Sequence, residues 1–136
     1  DGSRVAEQIL PAVTTVAQAL SAELALFQVP IAYVDGWMTG EWFVPIQGVL
    51  ATAAQDAHVY LSEVCSRLKK QGLRVTTATT MGSVAESIIE YAEANQVDLV
   101  AMCTHGRTGL VRWTLGSVAD RVLRAGSTPI LLVRAK

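Results

Sequence analysis

Apolar and polar positions follow a helical period and a strand period in turn along the first half of the chain. Over residues 3–20 the apolar positions recur at helical spacing, with Ser3 placed to cap the start and Pro11 to bend the middle. The stretch ELALFQVPIAYV predicts a buried strand that stops near Pro30, and an irregular span, DGWMTGEWFVPIQG, follows it. A long helical pattern then runs from Val49 to Gln71.

The second half of the chain continues this alternation. Gly72 follows the long helix as its C-terminal cap, and LRVTTATT predicts a β-branched strand. Ser83 and Glu86 have the spacing of a capping box, which predicts a third helix up to about Asn95. DLVAMCT then predicts an apolar strand, residues 116–124 a fourth helix and PILLVRAK a last strand.

These elements together predict the fold class. Strands that are apolar on both faces and separated by helices require a parallel sheet covered on both sides. We therefore expect an α/β protein, a three-layer open parallel sheet with helices on both faces. The chain opens, however, at the turn and helix that should follow a strand, and DGS at its start is typical of a strand exit. Either a short leading strand is absent from this chain or the sheet is one strand short. We expect the former, because the first helix would otherwise lack a partner for its apolar stripe.

Length and composition predict a single domain over residues 1–136, because 51% hydrophobic content is ample for one packed core. No apolar run reaches the ~20 residues that span a bilayer, and DGSRVAEQ lacks the basic start and apolar middle of a signal peptide. We therefore expect a soluble cytoplasmic protein. Cys65 and Cys103 are interpreted as small buried apolar residues rather than as a disulfide or a metal pair.

The net charge of −1 favours neither a nucleic acid nor a membrane as partner, but the charges are unevenly distributed. Residues 1–102 hold eleven acidic and five basic side chains, a net of −6, whereas residues 103–136 hold six basic side chains against Asp120, a net of +5. The positive part suits an anionic ligand, although a solvated helix face would give the same count.

Glycines flank one short segment in this positive part. Gly106 and Gly109 follow the DLVAMCT strand, and the pair Gly116-Ser117 opens the fourth helix. Ligands of open parallel sheets bind beyond the carboxyl ends of the strands, and a helix N-terminus offers free N–H groups to a phosphate. The spacing therefore predicts a phosphate site. The alternatives are that Gly106 and Gly109 serve only a turn and that Ser117 is only an N-cap.

The number and spacing of the residues argue against other well-known kinds of nucleotide, metal and catalytic site. The segment has no GxxxxGK[ST] run, and the Gly106–Gly109 pair lacks the earlier glycine of a dinucleotide fingerprint. The two histidines, His58 and His105, are too few to predict a metal site. A catalytic Cys103–His105 pair is also disfavoured, since a thiol buried in a strand is usually inert.

The segment CTHGRTGLVRWTLGSVADRVL, with PILLV after it, closely resembles the carboxyl-terminal motif of the universal stress protein family, G-x2-G-x9-G-[ST]. The resemblance covers nearly the whole chain, from DGS through ELALFQV and VDLVAMCTHGR to LLVR, and the long spaced motif makes it specific. It implies five parallel strands in the order 3-2-1-4-5, in which the absent first strand is the central one.

The resemblance also implies a ligand, ATP or another adenine nucleotide, with or without Mg²⁺. In nucleotide-binding members the motif holds the phosphates and ribose, an aspartate after the first strand meets the adenine, and the end of the second strand closes over the base. Carried over by position, the implied binding residues are Asp1, Val29, Cys103, His105, Gly106, Arg107, Gly109, Gly116, Ser117 and Val118. Cys103 departs from the motif, because it replaces the first glycine and adds bulk near the expected ribose.

Two functions of different classes remain open. In the first, the domain binds the nucleotide as a stress-response sensor or regulator, with at most slow hydrolysis, because no general base and no acidic Mg²⁺ cluster stand out near the motif. In the second, it is a nucleotide-free dimeric module for protein interaction. In the family's strand order PILLVRAK lies at the sheet edge, which predicts a homodimer through this strand. Trp37 and Trp42 are interpreted as a flap over the base, an interface patch or a plug at the core edge.

Overall fold

The computed structural model describes residues 1–31, 46–104 and 115–135, along which helices and strands alternate. The helices are the 3₁₀ turn Ala6–Ile9, α1 (Leu10–Leu20), α2 (Ile46–Lys69), α3 (Val84–Ala94) and α4 (Ser117–Ala125), and the strands are β1 (Glu23–Gln28), β2 (Arg74–Thr79), β3 (Val100–Thr104) and β4 (Ile130–Arg134). Within the described ranges, no helix combines the length and the apolar character needed to cross a bilayer.

The strands form two parallel pairs. β1 lies beside β2, beginning with Glu23 opposite Arg74, and β3 lies beside β4, beginning with Val100 opposite Ile130. Parallel strands joined through helices confirm the predicted α/β class. The order 3-2-1-4-5 gives these same two pairs on either side of its central strand. The described residues contain no strand that joins β1 to β3, so the five-strand order stays a prediction.

Helices cover both faces of the β1–β2 pair. Successive residues of a strand point to opposite faces. Leu26 packs against a buried cluster to which α1 contributes Ala17 and α2 contributes Val64. Its neighbour Phe27 instead stacks on Tyr91 of α3, with the ring centroids 4.4 Å apart. α1 and α2 therefore lie on one face and α3 on the other, which is the layered arrangement that the apolar strands predict.

The first helix differs from the prediction at its start. Its first turn is the 3₁₀ turn, and regular α-helix begins only at Leu10, so Pro11 lies in the first turn of α1 rather than in the middle of a helix. Proline suits this position because the first turn needs no N–H donor there. The side-chain oxygen of Ser3 accepts a hydrogen bond from the N–H of Ala6 at 3.1 Å, as expected for a capping residue.

The long helix α2 ends as predicted. Its last residue is Lys69, and Gly72 just beyond it has φ 83°, in the left-handed region that favours glycine. The Gly72 N–H donates to the carbonyl of Lys69 at 3.0 Å, which satisfies one of the free carbonyls at the helix end. The helix starts at Ile46, earlier than the predicted Val49.

The hydrogen bonds of the capping box predicted for α3 do not form. Ser83 does precede the first helical residue, but its side chain caps no N–H of the helix. The Ser83 hydroxyl instead donates to the carboxylate of Glu86, and this bond is the main reason that the pKa of Glu86 lies below its usual range. Glu86 also pairs with Arg121 of α4, so this corner joins α3 to α4.

The two cysteines are free thiols on different elements. Cys65 is buried in α2 and its Sγ donates to the carbonyl of Val75 at 3.7 Å, which confirms it as a core residue. Cys103 lies near the end of β3 and is only partly buried, so it is less enclosed than the sequence predicts.

Candidate functional site

The first residues of the chain fold against the carboxyl end of β1. Asp1 Oδ1 accepts a hydrogen bond from the N–H of Ser3 at 3.0 Å. Gly2 has φ 67°, and a Cβ at this position would lie 3.5 Å from the side-chain nitrogen of Gln28 and 3.7 Å from the ring of Tyr60. Glycine therefore gives this turn its left-handed backbone conformation, while the turn lies within ordinary contact distance of β1 and α2.

A cavity of about 290 Å³ lies between this turn, the end of β1 and one face of α2. Small-molecule pockets begin at roughly 300 Å³, so the cavity suits one part of a ligand, such as a ring system, better than a whole nucleotide. The lining residues are Asp1 and Gly2, residues 28–31, and Ala53, Asp56, Ala57 and Tyr60 of α2. These described lining residues include two carboxylates and no basic side chain.

Tyr60 connects the cavity wall to a charged network behind it. Burial raises the pKa of Tyr60 to about 12, and the neighbouring carboxylate of Glu7, to which the Tyr60 hydroxyl is hydrogen-bonded, adds to the rise. Glu7 also accepts a hydrogen bond from the guanidinium of Arg67 at 2.7 Å. The 3₁₀ turn is thereby tied to α2, which holds the start of the chain at the edge of the cavity.

Gln28 lines the cavity and carries a buried polar atom that has no partner among the described residues. It is the last residue of β1, and its side-chain oxygen is shielded from solvent and has no hydrogen-bond partner among the described residues. Buried polar atoms are bonded in the large majority of cases, so an unpaired acceptor on a residue that lines a cavity is a candidate for ligand recognition.

The cavity brings together two of the residues that the family resemblance implies as contacts of the adenine base. Val29 is buried, with 5% of its surface exposed, and it lines the cavity together with Asp1. Parallel sheets bind ligands at the carboxyl ends of their strands, and the end of β1 is such a position.

A second group of implied residues lies at the start of α4. Gly116 is the N-cap of this helix, with φ 82° and ψ 139°, and Ser117 is the first helical residue. The alternative in which Ser117 is the N-cap is therefore wrong. No side chain of the described residues caps this turn, and Ser117 and Val118 belong to it. The N–H groups of a first turn are the groups that bind an anion.

Cys103 faces the 3₁₀ turn. Burial raises the pKa of its thiol, and a hydrogen bond with the backbone of Ile9 opposes this rise only in part. The thiol is therefore protonated near neutral pH, which makes it a weak nucleophile. The other implied residues lie outside the described part of the chain: His105, Gly106, Arg107, Gly109, and also Trp37 and Trp42.

Two basic residues of the positive segment 103–136 form ion pairs on the exposed face of α4. Arg124 pairs with Asp120 one turn earlier on α4 at 2.9 Å, and Arg121 pairs with Glu86. All of these side chains are substantially exposed, so they form the solvated face that was one of the two interpretations of the charge count. The net charge of residues 103–136 therefore overstates the number of basic side chains that are available to bind an anion.

The sequence did not single out three lining residues, Gln28, Asp56 and Tyr60. In the sequence, Gln28 differs from the four apolar residues before it as the polar residue that ends β1. Ala53, Ala57 and Tyr60 follow helical spacing along α2, so the pattern assigns them to a core face without showing that part of this face borders a cavity. Within the described residues, no three His, Cys, Asp or Glu side chains gather into a metal site.

Comparisons with known proteins agree along the whole chain. The model of the Universal stress protein family matches residues 1–134. Universal stress protein MJ0531 of Methanocaldococcus jannaschii is 33% identical over 136 residues, which cover 98% of this chain and 78% of that protein.

Solved structures show the same fold at lower identity. Universal stress protein UspA from Lactobacillus plantarum has a TM-score of 0.82 at 18% identity, over 98% of this chain and 92% of that one. A universal stress protein in complex with cAMP has a TM-score of 0.61 at 21% identity, over 100% and 92% of the two chains. The universal stress protein from Archaeoglobus fulgidus in complex with dAMP has a TM-score of 0.65 at 14% identity, over 96% and 88%.

Proposed function

The chain belongs to the universal stress protein family, and we propose that it binds ATP or a related adenine nucleotide as a sensor or regulator in a stress response. The observation that carries the proposal is the cavity of about 290 Å³ at the carboxyl end of β1, lined by Asp1 and Val29. Two solved proteins of the same fold are complexes with cAMP and with dAMP, which share the adenine base.

The charges of the two candidate regions favour one orientation of the nucleotide. The carboxylates of Asp1 and Asp56 make the cavity unsuitable for phosphates, whereas neutral N–H and O–H donors of a base or ribose can pair with them. The start of α4 offers N–H groups and the positive end of a helix dipole. The proposal therefore assigns the base to the cavity and the phosphates to Gly116 and Ser117.

A sensor needs binding rather than turnover. The described residues hold no cluster of acidic side chains suited to Mg²⁺, so a Mg²⁺ ion would be held mainly by the phosphates of the nucleotide. We assign no general base. Hydrolysis, if the protein is assayed for it, is expected to be slow, and the functional output is then the change in stability or conformation that binding produces.

Thermal unfolding with and without ATP tests the proposal. A ligand that binds only the folded state adds about 2.7 kcal/mol of stability at a concentration one hundred times its dissociation constant. Inorganic tripolyphosphate is the matched control, because it carries the phosphate charge without the base. Stabilisation by ATP is expected to exceed that by tripolyphosphate, because both can bind at the start of α4 and only ATP fills the base site. An equal effect of both would contradict the assignment of a base site, and no effect of ATP would contradict nucleotide binding.

We also propose a homodimer formed through β4. This strand pairs with β3 on one side, and no other described strand lies against it. Its apolar residues Ile130, Leu131, Leu132 and Val133 are only partly buried. Two copies related by a two-fold axis can pair these edges antiparallel and cover both rows. If the dimer forms and ATP fails to bind, the result favours the alternative function of a protein-interaction module.

A further inference from the structure

We propose that Gln28 recognises the 6-amino group of adenine and makes the site select 6-amino over 6-oxo purine nucleotides. This inference rests on the proposed function, because it requires a purine base in the cavity at the end of β1. It adds a specificity residue that neither the sequence motif nor the comparisons assign.

The argument begins with the unpaired oxygen of Gln28. A buried acceptor without a partner destabilises a fold, and this one lies on a residue of the cavity wall. The amide nitrogen of the same side chain lies on the Gly2 side, 3.5 Å from the position of a Cβ on that residue. The last torsion of a glutamine is broad, and its other torsions move among staggered rotamers. A base in the cavity can therefore draw the amide toward it and give the oxygen a donor.

The chemistry of a primary amide matches the edge of adenine. On the N7 edge of the base, its oxygen accepts from the 6-amino group while its nitrogen donates to N7, a pairing that glutamine commonly makes with adenine. A 6-oxo purine presents a carbonyl at the same position. On this edge O6 and N7 are both acceptors, so in neither orientation of the amide would the oxygen of Gln28 gain a donor.

The rest of the cavity wall strengthens this preference. Asp1 and Asp56 contribute carboxylates, which accept hydrogen bonds and repel a carbonyl oxygen. The Tyr60 hydroxyl is already hydrogen-bonded to Glu7, so its proton does not serve the base. Among the described lining side chains, the amide nitrogen of Gln28 is the remaining neutral donor. The wall is therefore rich in acceptors and suits a base edge that carries an amino group.

Calorimetric titrations of the whole chain with ATP and with ITP test the inference, because the two nucleotides differ in the amino and oxo groups and share ribose and phosphates. The wild type is expected to bind ATP at least about tenfold more tightly than ITP, which is within the usual discrimination of one good amide–base pair. Gln28→Met, which keeps the length of the side chain and removes the amide, is expected to reduce this ratio to about threefold or less. Gln71→Met is the matched control, since Gln71 is exposed beyond the end of α2 and does not line the cavity. It should keep the wild-type ratio.

The outcomes separate the inference from the proposed function. Tight ATP binding with equal affinity for ITP would overturn the inference and leave nucleotide binding intact. An unchanged ratio in Gln28→Met would do the same, because the preference would then come from other groups. Failure of the wild type to bind either nucleotide would overturn both proposals. If Gln28→Met does not fold, purine riboside triphosphate replaces ITP on the wild type: affinity within about threefold of ATP would show that the 6-amino group is not recognised.

Discussion

Alanine at position 116 tests whether the start of α4 binds the phosphates. Gly116 has φ 82° and ψ 139°, a conformation that residues with a Cβ rarely adopt. Gly116→Ala should therefore destabilise the folded state by about 1–3 kcal/mol through backbone strain alone. The new methyl group would also stand at the N-cap, beside the N–H groups that the proposal assigns to the phosphates. We expect it to weaken ATP binding at least tenfold, which is about 1.4 kcal/mol.

Gly72→Ala is the control that separates strain from lost binding. Gly72 has a similar φ of 83°, and a Cβ at this position would meet nothing within 4 Å. It follows the end of α2 and does not line the cavity. The substitution should destabilise the fold by about 1–2 kcal/mol, the usual cost of a left-handed conformation, and leave the nucleotide site unchanged.

Urea unfolding of the wild type and both variants, with and without ATP, measures the two effects together. With ATP at one hundred times the wild-type dissociation constant, the wild type and Gly72→Ala should each gain about 2.7 kcal/mol. A tenfold weaker site reduces the gain of Gly116→Ala to about 1.4 kcal/mol. A gain of wild-type size in Gly116→Ala would refute the assignment of the phosphates to α4. A reduced gain in Gly72→Ala would show that strain far from the site is enough to weaken binding.

Three further predictions follow from the same structure. If the thiol of Cys103 crowds the ribose, Cys103→Gly should tighten ATP binding in a calorimetric titration while destabilising the strand by about 1 kcal/mol; equal or weaker binding would show that the side chain does not obstruct the ligand. Leu132→Asp should convert the proposed dimer to a monomer in light scattering, because the charge would be desolvated without a partner; a monomeric wild type at tens of micromolar would contradict the β4 interface. The Tyr60 pKa of about 12 lies above its ordinary value of 10.0, so its stabilising contribution should be complete below pH 10 and be lost as the pH rises through 12. Glu7→Gln should lower that pKa in a spectrophotometric titration, and an unchanged value would show that burial alone sets it.

Much of the fold follows from local rules that the sequence shows directly. The basic last turn of α2 and the left-handed Gly72 mark a helix end that the structure reproduces. The start of α3 shows the limit of such rules. Ser83 and Glu86 have the residue types and spacing of a capping box, yet they bond to each other, because a hydroxyl can donate to a nearby carboxylate as readily as it accepts from an N–H.

The candidate site is less predictable because it depends on contacts between distant segments. Asp1 and Val29 were reached through a family motif. Gln28 and Tyr60 were not, since a polar strand end and an aromatic residue on a helix have many structural uses. Their position in a cavity wall depends on the turn at Gly2, which lies against both side chains and leaves a cavity beside them. No local pattern in the sequence encodes that fit.

The central claim is that one adenine nucleotide contacts both the end of β1 and the start of α4. The most direct test is a titration of the isotope-labelled wild type with ATP, followed by amide chemical shifts. The account predicts saturable changes with a single dissociation constant at Val29 and at Gly116, Ser117 and Val118, while Gly72 stays unaffected. Changes confined to only one of the two regions, or different dissociation constants for them, would contradict the claim that a single nucleotide joins them.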